Sequence, residues 1–176
     1  MAAALMPDSR LWLYRLASMT EAAGLPARAG LYRAVDGALV YAYAAANVPA
    51  PTPAVELVCT LDVSGVSAGA DAPWHYVVET DVLPEVEAEF NAWYDEEHLP
   101  ALAAVPGVVR ARRLLNAAGT PRYHAVYDLA SVAAFGSPQW LEVRATPWSS
   151  RVRPAFRNTR RTMFERAAPA AARDAG

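Results

Sequence analysis

Apolar and polar positions alternate along four segments in the second half of the chain, and this period of two predicts strands. The predicted strands are Trp74–Thr80, Gly107–Leu115, Arg122–Leu129 and Phe156–Glu165. Between the first two, apolar positions recur at helical spacing from Pro84. Ser131–Trp140 carries a second, broken helical pattern, with Leu141–Pro147 as its extension. The resulting order, β-α-β-β-α-β, is the plan of the α+β ferredoxin-like fold.

The first half of the chain contains one clear hairpin signal. Asp36-Gly37 separates two runs with strand character within residues 29–45, and Asp-Gly favours a tight turn. Residues 55–63 are rich in β-branched residues and predict a further strand. Residues 9–23 fit either a helix or, from the run LWLYRL, a strand.

A weak internal repeat relates the two halves, because the segment from Gly24 parallels the segment from Gly107. We therefore expect a truncated, repeated ferredoxin-like half at 1–63 and a Gly/Ser/Ala linker at 64–73. A ferredoxin-like domain follows at 74–166, and a disordered tail at 167–176.

Composition and charge narrow the class of protein. An apolar fraction of 54% is ample for a buried core, and a net charge of −2 gives no reason to expect a nucleic-acid or membrane partner. The single cysteine, Cys59, excludes an internal disulfide and is compatible with a reducing cytoplasm. The opening residues MAAALMPDSR lack the pattern of a signal peptide. We expect a cytoplasmic protein.

The predicted helix from Pro84 carries the most distinctive polar and aromatic residues. Tyr94 and His98 are four positions apart, so their side chains can meet on one face of the helix. Pro100 cannot continue a helix without disturbing it, so we expect the helix to end or kink near His98 and Leu99. The same face carries Phe90, Trp93, Glu97 and Ala101.

Two predicted strands share the pattern His-x-Val-x-acid. His75 and Glu79 lie on one face of the first strand, and His124 and Asp128 on one face of the third. Taking these strands as adjacent and parallel, we expect the two imidazoles about 5 Å apart. If this face looks toward the helices, the helical imidazole and phenol converge on it; the parity of the strands leaves the choice of face open.

From Phe90 to Arg113 the sequence resembles the dimeric α/β-barrel superfamily, particularly its EthD-like members. The match reads F-NAWYDEEHLP-ALAAVPG-VVRARR: an aromatic residue, Trp-Tyr, an acidic pair, His-x-Pro, Pro-Gly and an Arg-rich strand. The resemblance extends over about residues 74–166. It implies two ferredoxin-like sheets packed into a barrel, and a ligand cleft between sheet and helices. Members include cofactor-free monooxygenases, polyketide cyclases, isomerases, decarboxylases and proteins of unknown role, so the fold does not select the reaction.

The resemblance leaves two assemblies open. If only the second half is ferredoxin-like, two chains pair through that sheet, and we favour this homodimer. If both halves are ferredoxin-like, one chain closes a pseudo-dimeric barrel by itself.

The candidate catalytic residues are His98 and Tyr94 first, and then His75 and His124. A histidine takes and gives protons near neutrality, and a phenol donates to a developing oxyanion. Asp95 and Glu97 are third candidates. The predicted substrate-binding residues are Phe90, Trp93, Glu97 and Trp140. Each of these residues could instead have a purely structural role. A strand histidine could be hydrogen-bonded within the fold, the aromatic residues could belong to the core, and the acidic residues could form a solvated helix face.

No metal and no cofactor is predicted. The three histidines come from separate elements without ligand spacing, and the sequence lacks a Gly-rich phosphate loop, a CxxC pair, HExxH and a Ser-elbow motif. A cluster of five arginines near the C-terminal end of the sequence is expected to lie on the exposed surface of a strand. The alternative is that it contacts an acidic substrate or a carrier protein. Its members are Arg151, Arg153, Arg157, Arg160 and Arg161.

Together these features predict a cofactor-independent enzyme that performs acid–base chemistry on an apolar, keto-bearing small molecule of polyketide or aromatic type. Cyclisation, isomerisation, dehydration and decarboxylation all fit, and cofactor-free oxygenation is the next choice. The rival is a non-catalytic small-molecule-binding or assembly protein. It predicts a cleft beside His98 filled by Trp93, Phe135 or Trp140, whereas the enzyme predicts an open apolar pocket containing two or more histidines.

Overall fold

The computed structural model describes residues 9–26 and 28–167, which form eight strands with short helices between them. The strands are β1 (Arg10–Leu16), β2 (Gly30–Ala34), β3 (Val40–Ala44), β4 (Val55–Ser64), β5 (Trp74–Val82), β6 (Val108–Leu115), β7 (Tyr123–Leu129) and β8 (Phe156–Ala167). The helices are α1 (Glu87–Trp93), α2 (Leu99–Ala103), α3 (Pro138–Arg144) and α4 (Pro147–Val152), with a π-helical segment, Tyr94–His98, between α1 and α2. Ala167 of the predicted tail belongs to β8, and the rest of that tail lies outside the described residues.

Within the described residues the strands close into one antiparallel barrel, in the order β1-β3-β2-β8-β5-β7-β6-β4. The second half contributes β8-β5-β7-β6, with helices between β5 and β6 and between β7 and β8, which confirms the predicted α+β ferredoxin-like topology. The first half contributes β4-β1-β3-β2, the same relative order. The halves join where β2 pairs with β8 and where β4 pairs with β6.

Residues 10–16 form a strand, so the helical alternative for residues 9–23 is wrong. Both faces of β1 are covered: Leu13 packs inside the barrel, whereas Tyr14 and Leu16 pack on its outer surface. A strand buried on both faces loses the alternation that would have distinguished it from a helix. The predicted hairpin is confirmed, because β2 pairs with β3 across a turn in which Gly37 has a φ of 116°.

Strands β5 and β7 are antiparallel, so the parallel arrangement expected from the sequence is wrong. The helical connection from β5 to β6 makes those two strands run in the same direction. Strand β7 returns from β6 as a hairpin and lies between them, so it must run opposite to both. The pairs that result are His75 opposite Asp128 and Glu79 opposite His124.

The helix between β5 and β6 runs past the expected end at His98 and Leu99 and finishes at Ala103. Pro100 is tolerated because it occupies the first turn of α2, where its missing N–H matters least. The predicted irregularity is present in another form, as the π-helical segment that precedes this proline.

The second helical region is longer than predicted. α3 extends through Leu141 to Arg144, and a separate helix, α4, begins at Pro147. Each start is capped by a hydroxyl: Ser137 Oγ accepts from the N–H of Trp140, and Thr146 Oγ1 accepts from the N–H of Ser149.

The predicted linker at 64–73 is anchored to the barrel rather than free. The N–H of Gly65 donates to Val109, that of Val66 to Ala103 and that of Ser67 to Val108. Gly65 is required by this close approach, because a Cβ there would lie 2.1 Å from the carbonyl oxygen of Val108.

We therefore expect Gly65→Ala to destabilise the protein by more than about 1 kcal/mol, because two backbone segments would have to separate. Gly24→Ala is the matched control, since a Cβ at that position meets no atom within 4 Å. Urea unfolding of both variants measures the difference. Equal midpoints for Gly65→Ala and the wild type would contradict the close packing of this loop.

Candidate functional site

The sheet of the second half has two faces with different chemistry. Alternation along β5 and β7 sends one set of side chains into the barrel and the other toward the helices. The inward set consists of His75, Val77, Glu79, His124, Val126 and Asp128, and the outward set of Tyr76, Val78, Tyr123, Ala125 and Tyr127. The two strand histidines therefore do not meet the helical residues: of the two faces that the sequence left open, the histidine face looks into the barrel and not toward His98.

Inside the barrel, His75 is fully buried and donates from Nδ1 to Asp128 Oδ1 over 2.7 Å. Tyr32 stacks on its ring with 3.9 Å between centroids. Burial lowers the pKa of His75 and outweighs the attraction of Asp128. Burial would raise the pKa of Asp128, but Arg112 and His75 hold it well below its usual range. The pair is a neutral imidazole against an ionised carboxylate, with the imidazole fully buried and the carboxylate at the mouth of the barrel.

At the opposite end of the barrel, Glu79 is the centre of a buried network. It accepts from Arg160 over 2.7 Å, from Arg15 over 2.8 Å and from the hydroxyl of Tyr41 over 2.8 Å. Burial would raise its pKa, but the hydrogen bonds from Arg160 and Arg15 lower it to about 2. His124 lies 3.6 Å from the same carboxylate, and burial lowers its pKa to about 4. Each strand histidine therefore lies beside a carboxylate inside the barrel, while Nε2 of His75 and Nδ1 of His124 have no hydrogen-bond partner among the described residues.

A cleft lies on the other face of the sheet, between β5, β7 and β8 on one side and the helices on the other. Its walls are mainly aromatic. The lining residues are Tyr76, Val78, Trp93, Tyr94, His98, Leu102, Tyr127, Trp140, Arg144, Arg153, Phe156 and Arg161. Four sequence candidates, Tyr94, His98, Trp93 and Trp140, meet in this cleft.

The π-helical segment determines how the helical candidates meet. In an α-helix, positions five apart point about 140° away from each other around the axis. The wider i→i+5 winding brings Trp93 and His98 together, stacked with centroids 4.1 Å apart. The ring of Tyr94 meets the ring of His98 edge-on at 5.2 Å, as the four-residue spacing predicted.

Phe90 and Glu97 do not line the cleft, so these two predicted substrate contacts are not supported by the structure. Phe90 is fully buried beneath the helix against Tyr94 and Tyr123. Glu97 accepts from Trp93 Nε1 and from Thr146 Oγ1, which ties the helix to the start of α4.

The third-choice candidate Asp95 has a structural partner. It forms an ion pair with the buried Arg113, 3.0 Å away. The guanidinium of Arg113 in turn lies over the rings of Phe90, Tyr94 and Tyr123. This contact holds the helix on the sheet, so Asp95 acts through helix position rather than in the cleft.

The polar groups of the cleft have few protein partners. Within the described part of the chain, neither ring nitrogen of His98 is hydrogen-bonded, and Nδ1 is buried. The hydroxyls of Tyr76, Tyr94 and Tyr127 likewise have no protein partner there. Burial raises the pKa of Tyr94 to about 12, so its phenol is a hydrogen-bond donor at neutral pH.

Three arginines lie at the cleft, and sequence analysis missed one of them, Arg144. The predicted arginine cluster is split: Arg153 and Arg161 line the cleft, whereas Arg160 reaches Glu79 inside the barrel and Arg151 pairs with Glu89. Arg144 was missed because the broken helical pattern over residues 131–147 does not show which side of α3 faces the sheet.

These charges act on His98. The pKa of His98 is lowered to about 3, mainly by burial and to a smaller extent by the charges of Arg144 and Arg153. The imidazole is therefore neutral at physiological pH and has its ring nitrogens free for a ligand.

The cleft is narrow. The space between its walls that is not filled by protein atoms, including the part open to solvent, measures about 380 Å³. Only about 30 Å³ of this space can hold the centre of a water molecule. That is room for about two waters, whereas small-molecule sites typically measure about 300–1,000 Å³. Binding of an aromatic ligand therefore requires side chains at the rim to move.

A larger cavity, about 560 Å³, lies at one mouth of the barrel beside the 68–72 loop. Its charged side chains are already paired: Arg110 with Asp62, Arg166 with Asp71, and Asp128 with Arg112 and His75. In the narrower cleft, by contrast, the charged side chains have no acidic partner among the described residues and the walls are aromatic, which makes it the better candidate site.

Comparison with solved structures identifies the fold. A Listeria monocytogenes ferredoxin-fold protein related to antibiotic biosynthesis monooxygenases superposes with a TM-score of 0.60 at 11% identity, over 92% of this chain and 96% of that one. An anthrone oxidase-like protein gives 0.62 at 14%, over 94% of each chain. The haem-degrading enzyme LmHde of L. monocytogenes gives 0.56 at 9%, over 89% and 98%.

This chain has the ferredoxin-like fold of these monooxygenase-related proteins. At such low identities the likeness shows the fold alone. No protein-family model matches the sequence, and no curated protein matches it either.

Two structural findings bear on partners. Among the described residues, no group of three or more His, Cys, Asp or Glu side chains is arranged to hold a metal ion. In the same part of the chain, no helix is both long and apolar enough to cross a membrane.

The ion pairs of Glu79 can be tested through their contribution to the stability of the protein. Glu79→Gln leaves the guanidiniums of Arg15 and Arg160 beside a neutral amide. Because both arginine side chains are partly exposed to solvent, we expect a loss of roughly 1.5–3 kcal/mol in the free energy of unfolding. Glu165→Gln is the control, because its ion pair with Arg33 is exposed and contributes at most about 1 kcal/mol.

The same variant should change the pH dependence of stability. The folded pKa of Glu79, about 2, is below its unfolded value near 4.5, so the wild type loses this contribution as pH falls from 4.5 toward 2. Urea unfolding at pH 7 and pH 4 should show that Glu79→Gln lacks this part of the acid sensitivity. An unchanged acid sensitivity would argue against an ionised buried Glu79.

Proposed function

We propose that the chain is a small-molecule enzyme that removes a proton from an enolisable or phenolic aromatic substrate in the cleft beside His98. The observation that supports this most is the contact between a neutral imidazole and a phenol, His98 and Tyr94, both without protein hydrogen-bond partners. His98 accepts the proton, and Tyr94 donates a hydrogen bond to the oxygen on which the negative charge develops.

A base with a pKa of about 3 is weak in the empty cleft. The developing enolate or phenolate supplies a negative charge beside the imidazole, and this charge favours the imidazolium. The same bound anion is attracted by Arg144 and Arg153, whose charges disfavour the protonated histidine when no ligand is present.

Cofactor-free oxygenation is the reaction class we favour over cyclisation, isomerisation, dehydration or decarboxylation. The support is the fold shared with monooxygenase-related proteins and with an anthrone oxidase-like protein. An enolate is electron-rich and reduces O₂ directly, so proton removal by His98 is the step that the protein must provide. With anthrone as substrate, the net reaction consumes one O₂ and yields anthraquinone and water.

A haem does not fit this cleft, although a haem-degrading enzyme shares the fold. Only about 30 Å³ is wide enough for the centre of a water molecule, so side chains at the rim must move even for a three-ring aromatic ligand, and a haem is much larger. The proposed chemistry therefore has no step that involves haem.

A second candidate is a non-catalytic protein that binds a small molecule in the same cleft. Two observations favour it: Trp93 and Trp140 narrow the cleft, and only one of the chain's three histidines lines it. EthD-like membership and a cytoplasmic location stay predictions under either function.

The enzyme proposal is tested with anthrone, following O₂ uptake and anthraquinone absorbance above the background without protein. His98→Ala should lower kcat/KM by about 100-fold or more, because it removes the base. Tyr94→Phe should lower it at least about tenfold. Tyr123→Phe is the control, since that hydroxyl lies on the same sheet face but bonds to Glu87 outside the cleft.

Full activity of a folded His98→Ala variant would reject His98 as the base. A wild type that binds anthrone without oxidising it would overturn oxygenation and favour the binding protein.

We also propose that one chain is a complete pseudo-dimer, with the first half as the shortened ferredoxin-like copy. The support is that β2–β8 and β4–β6 already make within one chain the joins that a homodimer would make between two. Light scattering should therefore give a mass near the 18.9 kDa of one chain. A mass of about twice that value would favour the homodimer that we preferred from the sequence.

A further inference from the structure

The arginines at the cleft lack acidic partners, unlike most other arginines in the described part of the chain. Ten arginines in the described part of the chain have a carboxylate within salt-bridge distance, and five do not. Three of those five, Arg144, Arg153 and Arg161, line the cleft. The lining includes no Asp or Glu, so the cleft carries three positive charges and no negative one.

This grouping is costly for the empty protein. Arg144 and Arg153 are half-buried, and Arg153 Nη1 reaches only a carbonyl oxygen, that of Arg144, at 3.5 Å. Burial and the charges of Arg144 and Arg161 lower the pKa of Arg153. Like charges held close in a partly buried place are relieved when an anion binds between them.

The other polar groups in the cleft suit the same ligand. The hydroxyls of Tyr76, Tyr94 and Tyr127 are protonated donors without protein acceptors in the described residues. A ligand rich in acceptor oxygens satisfies these donors. The aromatic rings that form the walls favour a flat apolar body.

We propose that the ligand of this cleft is an aromatic carboxylate, with its ring system between the aromatic walls and its carboxylate held by Arg144, Arg153 and Arg161. The proposal rests on the cleft being the substrate site, as the proposed function has it. It narrows the preferred substrate to an enolisable aromatic molecule that also carries an acidic group, so anthrone represents only the aromatic part of that substrate.

The test compares two pairs of probes that differ only in charge: 2-naphthoate with 2-naphthamide, and benzoate with benzamide. Isothermal titration calorimetry on the wild type should show each carboxylate binding at least about tenfold more tightly than its amide, as charge-assisted hydrogen bonds predict. Added salt should weaken the binding of the carboxylates more than that of the amides.

Two matched double variants locate the effect. Arg153→Gln with Arg161→Gln leaves only Arg144 at the cleft, and should remove most of the preference for the carboxylate while leaving amide binding unchanged. Arg151→Gln with Arg157→Gln removes the same net charge from two exposed arginines that do not line the cleft, and should keep the preference.

The outcomes separate this inference from the proposed function. Equal binding of carboxylates and amides to the wild type overturns the acidic ligand and leaves the cleft as a site. A loss of preference in the Arg151/Arg157 control assigns the effect to net charge and also overturns it. A folded wild type that binds none of the four probes contradicts the cleft as a ligand site, and with it both proposals.

Discussion

The antiparallel register between β5 and β7 is the constraint on which the rest of the structure depends. It places His75 opposite Asp128 and Glu79 opposite His124, so each imidazole of the repeated His-x-Val-x-acid pattern faces the acid of the other strand. The alternation then turns this whole set into the barrel and leaves Tyr76, Tyr123 and Tyr127 facing the helices. Ion pairs and cleft are therefore on opposite sides of one sheet.

Charged side chains are paired inside the barrel and lack acidic partners at the cleft. Inside the barrel, guanidiniums and carboxylates are matched, as at Glu79 with Arg15 and Arg160, which makes burial of the charges tolerable. At the cleft, Arg153 and its neighbours have no acidic partner, and His98 is kept neutral beside them. A matched interior stabilises the fold, whereas an unmatched cleft has interactions left for a ligand.

The ferredoxin-like plan of the second half followed from the sequence because each strand there is short, patterned and bounded by turn residues. The direction of β7 was also contained in that plan, because a strand that returns from β6 as a hairpin and lies beside β5 must run opposite to both. The parallel pairing expected from the sequence was therefore inconsistent with the predicted topology. Tyr94 and His98 were found from helical spacing. The stacking of Trp93 on His98 was not, because it depends on a π-helical turn that no spacing rule for an α-helix contains. Arg144 was missed because the broken helical pattern over residues 131–147 does not show which side of the helix faces the sheet.

The most direct test of the division between the two faces is nuclear magnetic resonance of the imidazole rings, since the chain has three histidines and the account gives them two different roles. During titration with 2-naphthoate, the ring signals of His98 should shift progressively while those of His75 and His124 stay in place. Shifts in the signals of His75 or His124, with those of His98 unmoved, would place the ligand inside the barrel and contradict the account.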